Sequence, residues 1–151
     1  MSAPGQFVFT QQFRAWLGDG TFALATNTIK CAAMTSAWTP NMATQSLWAD
    51  ISANEVANGN GYATGGQTLA GQVFTETAGV AKFDANDHSY TGSGAGFVIR
   101  YEAFYASGTL NGHVNPLIGY RLLDSAPADV SVGAGNTVNV VEHANGIFTL
   151  T

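Results

Sequence analysis

Charge is the scarcest property of this chain. Only 10% of its 151 residues are Asp, Glu, Lys or Arg, against about 25% in an average soluble domain. The fixed positive charge is confined to Arg14, Lys30, Lys82, Arg100 and Arg121, and the net charge is −5. These cations are scattered. No basic stripe exists to neutralise phosphates, so direct nucleic-acid binding is not expected. The same scarcity argues against an anionic membrane surface as partner. Cysteine is almost absent too. Cys31 is alone, which excludes an internal disulfide, and it is not expected to nucleate a metal site built from cysteines. It sits in the apolar run Thr28-Ile29-Lys30-Cys31-Ala32-Ala33-Met34 and is expected to be a small buried hydrophobe. No apolar run approaches ~18 residues, so no membrane span is predicted. Met1-Ser2-Ala3-Pro4-Gly5 lacks a charged and then apolar leader, so no signal peptide is predicted and the protein is expected to be made in the cytoplasm.

Glycine, alanine, serine, threonine and asparagine fill the space that charge leaves. Such a surface suits a protein packed against neighbours; it also suits a secreted β domain. The length fits one domain, residues 1–151, burying roughly 68–70% of its unfolded surface. Only the first third offers any helix. Phe13, Trp16 and Leu17 are spaced for a short one, stopped by Gly18-Asp19-Gly20. Residues 1–20 are therefore read as a short helix or N-terminal arm, with Phe7-Val8-Phe9 able to serve as a strand. Thr28–Met34 reads as a buried strand and Thr44–Asp50 as one helical turn at most. Downstream, Gln67–Thr75, Val80–Asp84, Phe97–Tyr105, Pro116–Leu123, Thr137–Val141 and Gly146–Leu150 read as strands. In Phe97–Tyr105 period two places Phe97, Ile99, Tyr101, Ala103 and Tyr105 on one face. Asn145-Gly146 suggests a hairpin joining the last two strands. About seven short strands with Gly-rich turns predict a mainly β fold, an antiparallel β-sandwich or jelly-roll-like domain.

The densest glycine stretch is Asn58-Gly59-Asn60-Gly61-Tyr62-Ala63-Thr64-Gly65-Gly66-Gln67-Thr68-Leu69. No Gly-Lys-Ser/Thr follows it, so a phosphate loop is excluded. No convincing helix follows, so no helix N-terminus is ready for an anion. A tight turn or backbone crossing is the better reading. Gly59, Gly61, Gly65 and Gly66 would fix it, with Tyr62 inserted into the core.

Candidate chemistry is thin. His88, His113 and His143 lie beside turn residues, without the i, i+2 or i, i+4 partners of a metal site, and are expected on surface loops. Ser93 in Gly92-Ser93-Gly94 lacks the preceding apolar strand of a nucleophile elbow. Asp84 and Asp87 could offer oxygens to calcium, but an Asx-rich turn explains them better. Trp16, Trp38 and Trp48 could build a sugar platform, although aromatics in β domains more often anchor cores or interfaces. No catalytic residue, metal site or cofactor is assigned, and the chain is not expected to be an enzyme.

Several of these segments resemble a group of small structural proteins of tailed bacteriophages. The resemblance rests first on Gly59-Asn60-Gly61-Tyr62-Ala63-Thr64-Gly65-Gly66, a Gly-x-Gly-Tyr-x-x-Gly-Gly signature. It is accompanied by Leu17-Gly18-Asp19-Gly20, Thr26-Asn27-Thr28-Ile29-Lys30, the acidic turn Asp84–Tyr90, Phe97-Val98-Ile99-Arg100-Tyr101 and Asn115-Pro116-Leu117-Ile118-Gly119. Tyr90 stands where the group usually has Trp, and Gly94-Ala95-Gly96 replaces its Thr-Ala. The resemblance implies a non-enzymatic virion component, most simply a capsid decoration (cement) protein. Such a protein would bind the major capsid protein on the outer head and self-associate as a homo-oligomer. Phe7, Phe9 and Trp38 are the expected interface anchors. The alternative is a tail- or fibre-associated adhesion module that binds host surface glycan.

Overall fold

The computed structural model describes residues 1–151 and is mainly antiparallel β. Its centre is a five-stranded sheet of β1 (Val8–Phe9), β11 (Leu117–Leu122), β8 (Tyr101–Ala106), β2 (Ile29–Met34) and β3 (Gln67–Thr68), in that order. β2 and β8 occupy the middle, and both of their faces are buried. That is why their sequences read as nearly continuous apolar runs rather than alternating ones. A three-stranded sheet of β14 (Phe148–Leu150), β5 (Val80–Asp84) and β4 (Val73–Thr77) faces the central sheet. Phe104, Cys31 and Ile29 from one layer meet Phe83 and Phe148 from the other in the main core. The two layers make the molecule sandwich-like.

The N-terminal segment belongs to this core. β1 pairs with β11, matching Val8 to Tyr120 and Phe9 to Gly119. The single α-helix, α1 (Phe13–Gly18), follows and packs Phe13 into the core. Phe13 stacks on Phe9 at 4.9 Å, and Phe7 and Phe9 both lie against Phe148. Thr10 pins the entrance of α1 by donating its hydroxyl to the Leu117 carbonyl and accepting from the Phe13 amide.

Three two-stranded pairs complete the fold. β6 (His88–Thr91) pairs with β13 (Thr137–Val140), and β7 (Phe97–Ile99) with β12 (Val130–Val132). β9 (Thr109–Leu110) and β10 (His113–Val114) form a hairpin. Ala33, Val56, Tyr62, Tyr90, Ile99, Leu123, Val132 and Val140 form a second core beneath the first two pairs. A third covers the opposite face of the central sheet, where the segment from Trp38 to Ile51 lies over Ala32, Met34, Ala103 and Tyr105.

Three sequence expectations are corrected here. Phe97–Tyr105 is not one strand. It breaks at Arg100, whose amide bonds the Met34 carbonyl and whose carbonyl accepts from Leu123. Phe97–Ile99 then pairs with β12 while Tyr101–Ala106 enters the central sheet. The common face predicted by period two is lost at that switch. The Asn145-Gly146 hairpin does not form either: β13 pairs with β6 and β14 with β5, so the two strands join different sheets. Finally, Trp38 is not a surface residue, and Phe7 and Phe9 are only partly exposed. Trp38 is 2% exposed, edge-on to Tyr101 and Tyr120, and the two phenylalanines are half-buried in the aromatic core. The Trp38 side chain is spent inside the chain, whereas Phe7 and Phe9 keep part of their area accessible.

The glycine stretch crosses the sheet ends at close range. Gly59 and Tyr62 exchange backbone hydrogen bonds, making a tight turn. Gly61 (φ 97°) and Gly66 (φ 70°) are both left-handed. A Cβ on Gly61 would strike the Thr91 carbonyl, and one on Gly66 the Cys31 carbonyl and Ala32 Cα. Only glycine allows both the dihedral and the approach. Tyr62 is thereby driven inward, where its hydroxyl accepts from the Ala33 amide at 2.9 Å and donates to Glu55 at 2.7 Å. Glu55 also accepts from the Gly65 amide, and the Gly65 carbonyl accepts from Tyr105.

Candidate functional site: a buried ionic cluster

Two strands of the central sheet carry a charge into the interior. Glu102 lies near the start of β8 and is fully buried; Arg121 lies opposite it on β11 and is 3% exposed. β6 brings His88, and the turn after β13 brings Glu142. The Arg121 Nε donates to Glu102 Oε2 at 2.8 Å, and its two Nη groups grip Glu142 at 2.6 and 2.8 Å. His88 Nε2 meets Glu102 Oε1 at 2.7 Å, and its Nδ1 lies 3.3 Å from Glu142 Oε1. Tyr90 donates to the same Glu102 oxygen at 3.0 Å. Cys31 Sγ is 3.7 Å from the Tyr90 hydroxyl. Arg121 also covers the Phe104 ring, 5.1 Å from its centroid.

The protonation states follow from these contacts. Burial opposes the charge on Glu102, but Arg121 and then His88 outweigh it and hold the carboxyl far below its ordinary range. Glu142 is also lowered: burial works against its charge, and the hydrogen-bonded Arg121 guanidinium and the nearby His88 imidazolium prevail. Burial works against the His88 imidazolium, yet Cys31, Glu102 and Glu142 raise its pKa well above the ordinary value. Burial and the Glu102 charge push the Cys31 thiol up to about 11. At neutral pH the cluster thus holds an imidazolium, a guanidinium and two carboxylates, and its charges cancel.

This arrangement is poorly suited to proton transfer. A general acid or base works best with a pKa near the operating pH, and His88 and Glu102 are displaced from it in opposite directions. Cys31 as a buried neutral thiol is a weak nucleophile. What the cluster does well is join β6, β8, β11 and the turn after β13 by charge-assisted hydrogen bonds. Cys31 Sγ, His88 Nε2 and Glu102 Oε1 also lie within 4.8 Å of one another, a donor set suited to a metal ion.

Other expected residues are dispersed. His88 is not a surface-loop histidine but a buried strand residue. Its neighbours Asn86 and Asp87 are turn-like, yet its ring points inward from β6. His143 is exposed, and its ring accepts from the Asn145 amide. His113 packs on Trp16, with ring centroids 4.2 Å apart. Asp84 pairs with Lys82, and Asp87 accepts from the Glu142 amide, so the two acids serve separate partners. The tryptophans form no common platform. Trp16 is taken by His113, Trp48 stacks on Tyr105 at 4.6 Å, and Trp38 is enclosed. Glu102, Arg121 and Glu142 escape a sequence reading. The signal that could have found them is Glu102 itself, a carboxylate inside the apolar strand Tyr101–Ala106.

Comparison with protein-family models, curated proteins and solved structures finds no match.

Proposed function

We propose that this chain is a structural component of a bacteriophage particle, a capsid decoration protein seated on the outer head. It would contact the major capsid protein and further copies of itself. The observation that carries this reading is the surface. Charged residues are 10% of the chain, and Val8, Val73, Val98, Val114 and Val141 stand exposed on strands or next to them. Such a surface gains from being covered by neighbours. The ionic cluster fits the reading too, because it fastens strands internally and directs no charge at a substrate. The Gly-x-Gly-Tyr-x-x-Gly-Gly resemblance supplies the kind of assembly.

A co-sedimentation experiment tests it. Purified protein is mixed with phage heads stripped of it, and saturable binding that lowers their loss on heating is expected. Absence of the protein from heads at every concentration overturns the reading.

One groove favours a second reading, a tail- or fibre-associated module that binds host glycan. Gln6, Val8, Arg100, Tyr101, Tyr120 and Pro127 line a shallow depression, and partly exposed tyrosines beside polar groups suit a sugar face. Glycan-array binding that is lost in Tyr120→Ala would support it; an array without signal would dismiss it.

A further inference from the structure

We propose that Cys31, His88, Glu102 and Tyr90 form a binding site for a thiophilic divalent cation, zinc by its donor chemistry, which replaces two protons in the cluster. This stands independently of the virion reading.

Four donor atoms converge there from three paired strands. Cys31 Sγ comes from β2, His88 Nε2 and Tyr90 Oη from β6, and Glu102 Oε1 from β8. The sulfur, imidazole nitrogen and carboxylate oxygen lie mutually within 4.8 Å. Tyr90 Oη is 3.0 Å from Glu102 Oε1 and 3.7 Å from Cys31 Sγ. A thiolate, an imidazole and a carboxylate are the ligands that zinc takes in tetrahedral sites, with bonds of about 2.0–2.3 Å. Such bonds set neighbouring ligand atoms about 3.3–3.7 Å apart. The 2.7 Å between His88 Nε2 and Glu102 Oε1 is therefore the separation of the protonated state, in which a hydrogen fills the position. Opening that contact and the 3.0 Å Tyr90–Glu102 hydrogen bond, each by less than about 1 Å, admits the ion.

The outer contacts are those a metal site requires. Metal-bound histidine commonly directs its other ring nitrogen at a carboxylate. His88 Nδ1 lies 3.3 Å from Glu142 Oε1, is buried, and makes no hydrogen bond of good geometry. Arg121 holds the second oxygen of Glu102, leaving the first to face the sulfur. Access is also present: Asp87, His88, Ser89, Asn139 and Val141 line a depression above the imidazole.

The exchange balances in charge. A dication enters, the Cys31 thiol and the His88 imidazolium each release a proton to solvent, and the cluster keeps a net charge of zero. No other bond forms or breaks, and nothing is oxidised.

Cobalt(II) is the probe, added to the folded chain and, separately, during refolding from urea. A thiolate-to-cobalt charge-transfer band is expected, displaced by zinc, with release of about two protons per ion at pH 7. Cys31→Ala preserves the ion pairs and the packing volume closely. It should abolish the band and weaken zinc binding at least about hundredfold, while the far-UV spectrum is unchanged. His88→Asn should do the same where it folds. The proposal is overturned if cobalt gives no thiolate band under either loading. It is equally overturned if zinc raises Tm in Cys31→Ala as much as in the parent.

Discussion

Arg121 holds both carboxylate oxygens of Glu142, at 2.6 and 2.8 Å, across 21 residues of sequence. This fork ties the turn after β13 to an inner strand of the five-stranded sheet. The Glu142 amide donates to Asp87 at 2.8 Å, so the same residue also fixes the start of β6. The pair sits where the two sheets and the β6–β13 ribbon meet, and its geometry is the fork-to-fork match that makes Arg–carboxylate pairs strong.

Removing one partner should therefore cost more than removing both. Arg121→Met leaves Glu102 and Glu142 buried with only the His88 imidazolium beside them, and a loss of about 3–5 kcal/mol is expected. Adding Glu142→Gln to that variant should restore part of the loss, because one uncompensated charge disappears. Urea denaturation of the parent, the single variants and the double variant measures this directly. Equal and additive losses would show that the cluster does not act as a unit.

Trp38 gives the clearest contrast between a surface role and a core role. Its ring lies edge-on to Tyr101 and Tyr120, and its Nε1 donates to Gln45 at 3.2 Å. Trp38→Ala should lower the unfolding free energy by about 3–5 kcal/mol, the usual cost of emptying a large aromatic site. The thermal midpoint of the isolated chain reads it without any partner present. A midpoint unchanged from the parent would return Trp38 to the surface.

The strands were legible where local pattern and pairing agree. Val80–Asp84 reads as a strand in the sequence and is one in the structure, because the β4–β5 hairpin is a local event. The break at Arg100 was not legible. It is set by Met34 and Leu123, whose backbones capture both polar groups of that residue from distant parts of the chain. The same reason hid the ionic cluster. The paired members among His88, Glu102, Arg121 and Glu142 are separated from one another by 14 or more residues. Strand pairing alone brings them together, and a turn-like neighbourhood masked His88. Of the ten acids and five bases, three lie in this one cluster.

Alkaline pH should destabilise the fold. Burial, then the hydrogen bond and charge of Glu55, raise the Tyr62 pKa far above its ordinary value. Burial, then the field of Glu55, raises Tyr105 to about 12. An unfolded tyrosine ionises near pH 10, so above that pH the unfolded chain releases protons that the folded chain retains. The stabilisation from both residues is complete below about pH 10 and is lost as pH rises toward the folded values. Thermal midpoints should fall from about pH 10 upward, more steeply in the parent than in Tyr62→Phe. Spectrophotometric titration should show tyrosines that ionise only as the protein unfolds.

Gly59 and Gly66 separate two reasons for needing glycine. Both have positive φ, 110° and 70°, so alanine is strained at either. Around Gly59 the space for a Cβ is open, whereas at Gly66 it is filled by the backbone of Cys31 and Ala32. Gly59→Ala should cost about 1–2 kcal/mol, the left-handed penalty alone. Gly66→Ala adds a collision with a central strand that cannot retreat, because β2 is paired to β8 along its whole length. That variant should lose clearly more stability, and the lost approach should loosen the Tyr62 hydroxyl from the Ala33 amide. Hydrogen exchange at Ala33 would report the second effect. Faster exchange in Gly66→Ala but not in Gly59→Ala is the expected outcome. Equal stability loss and equal exchange in the two variants would mean that the stretch works through backbone strain alone.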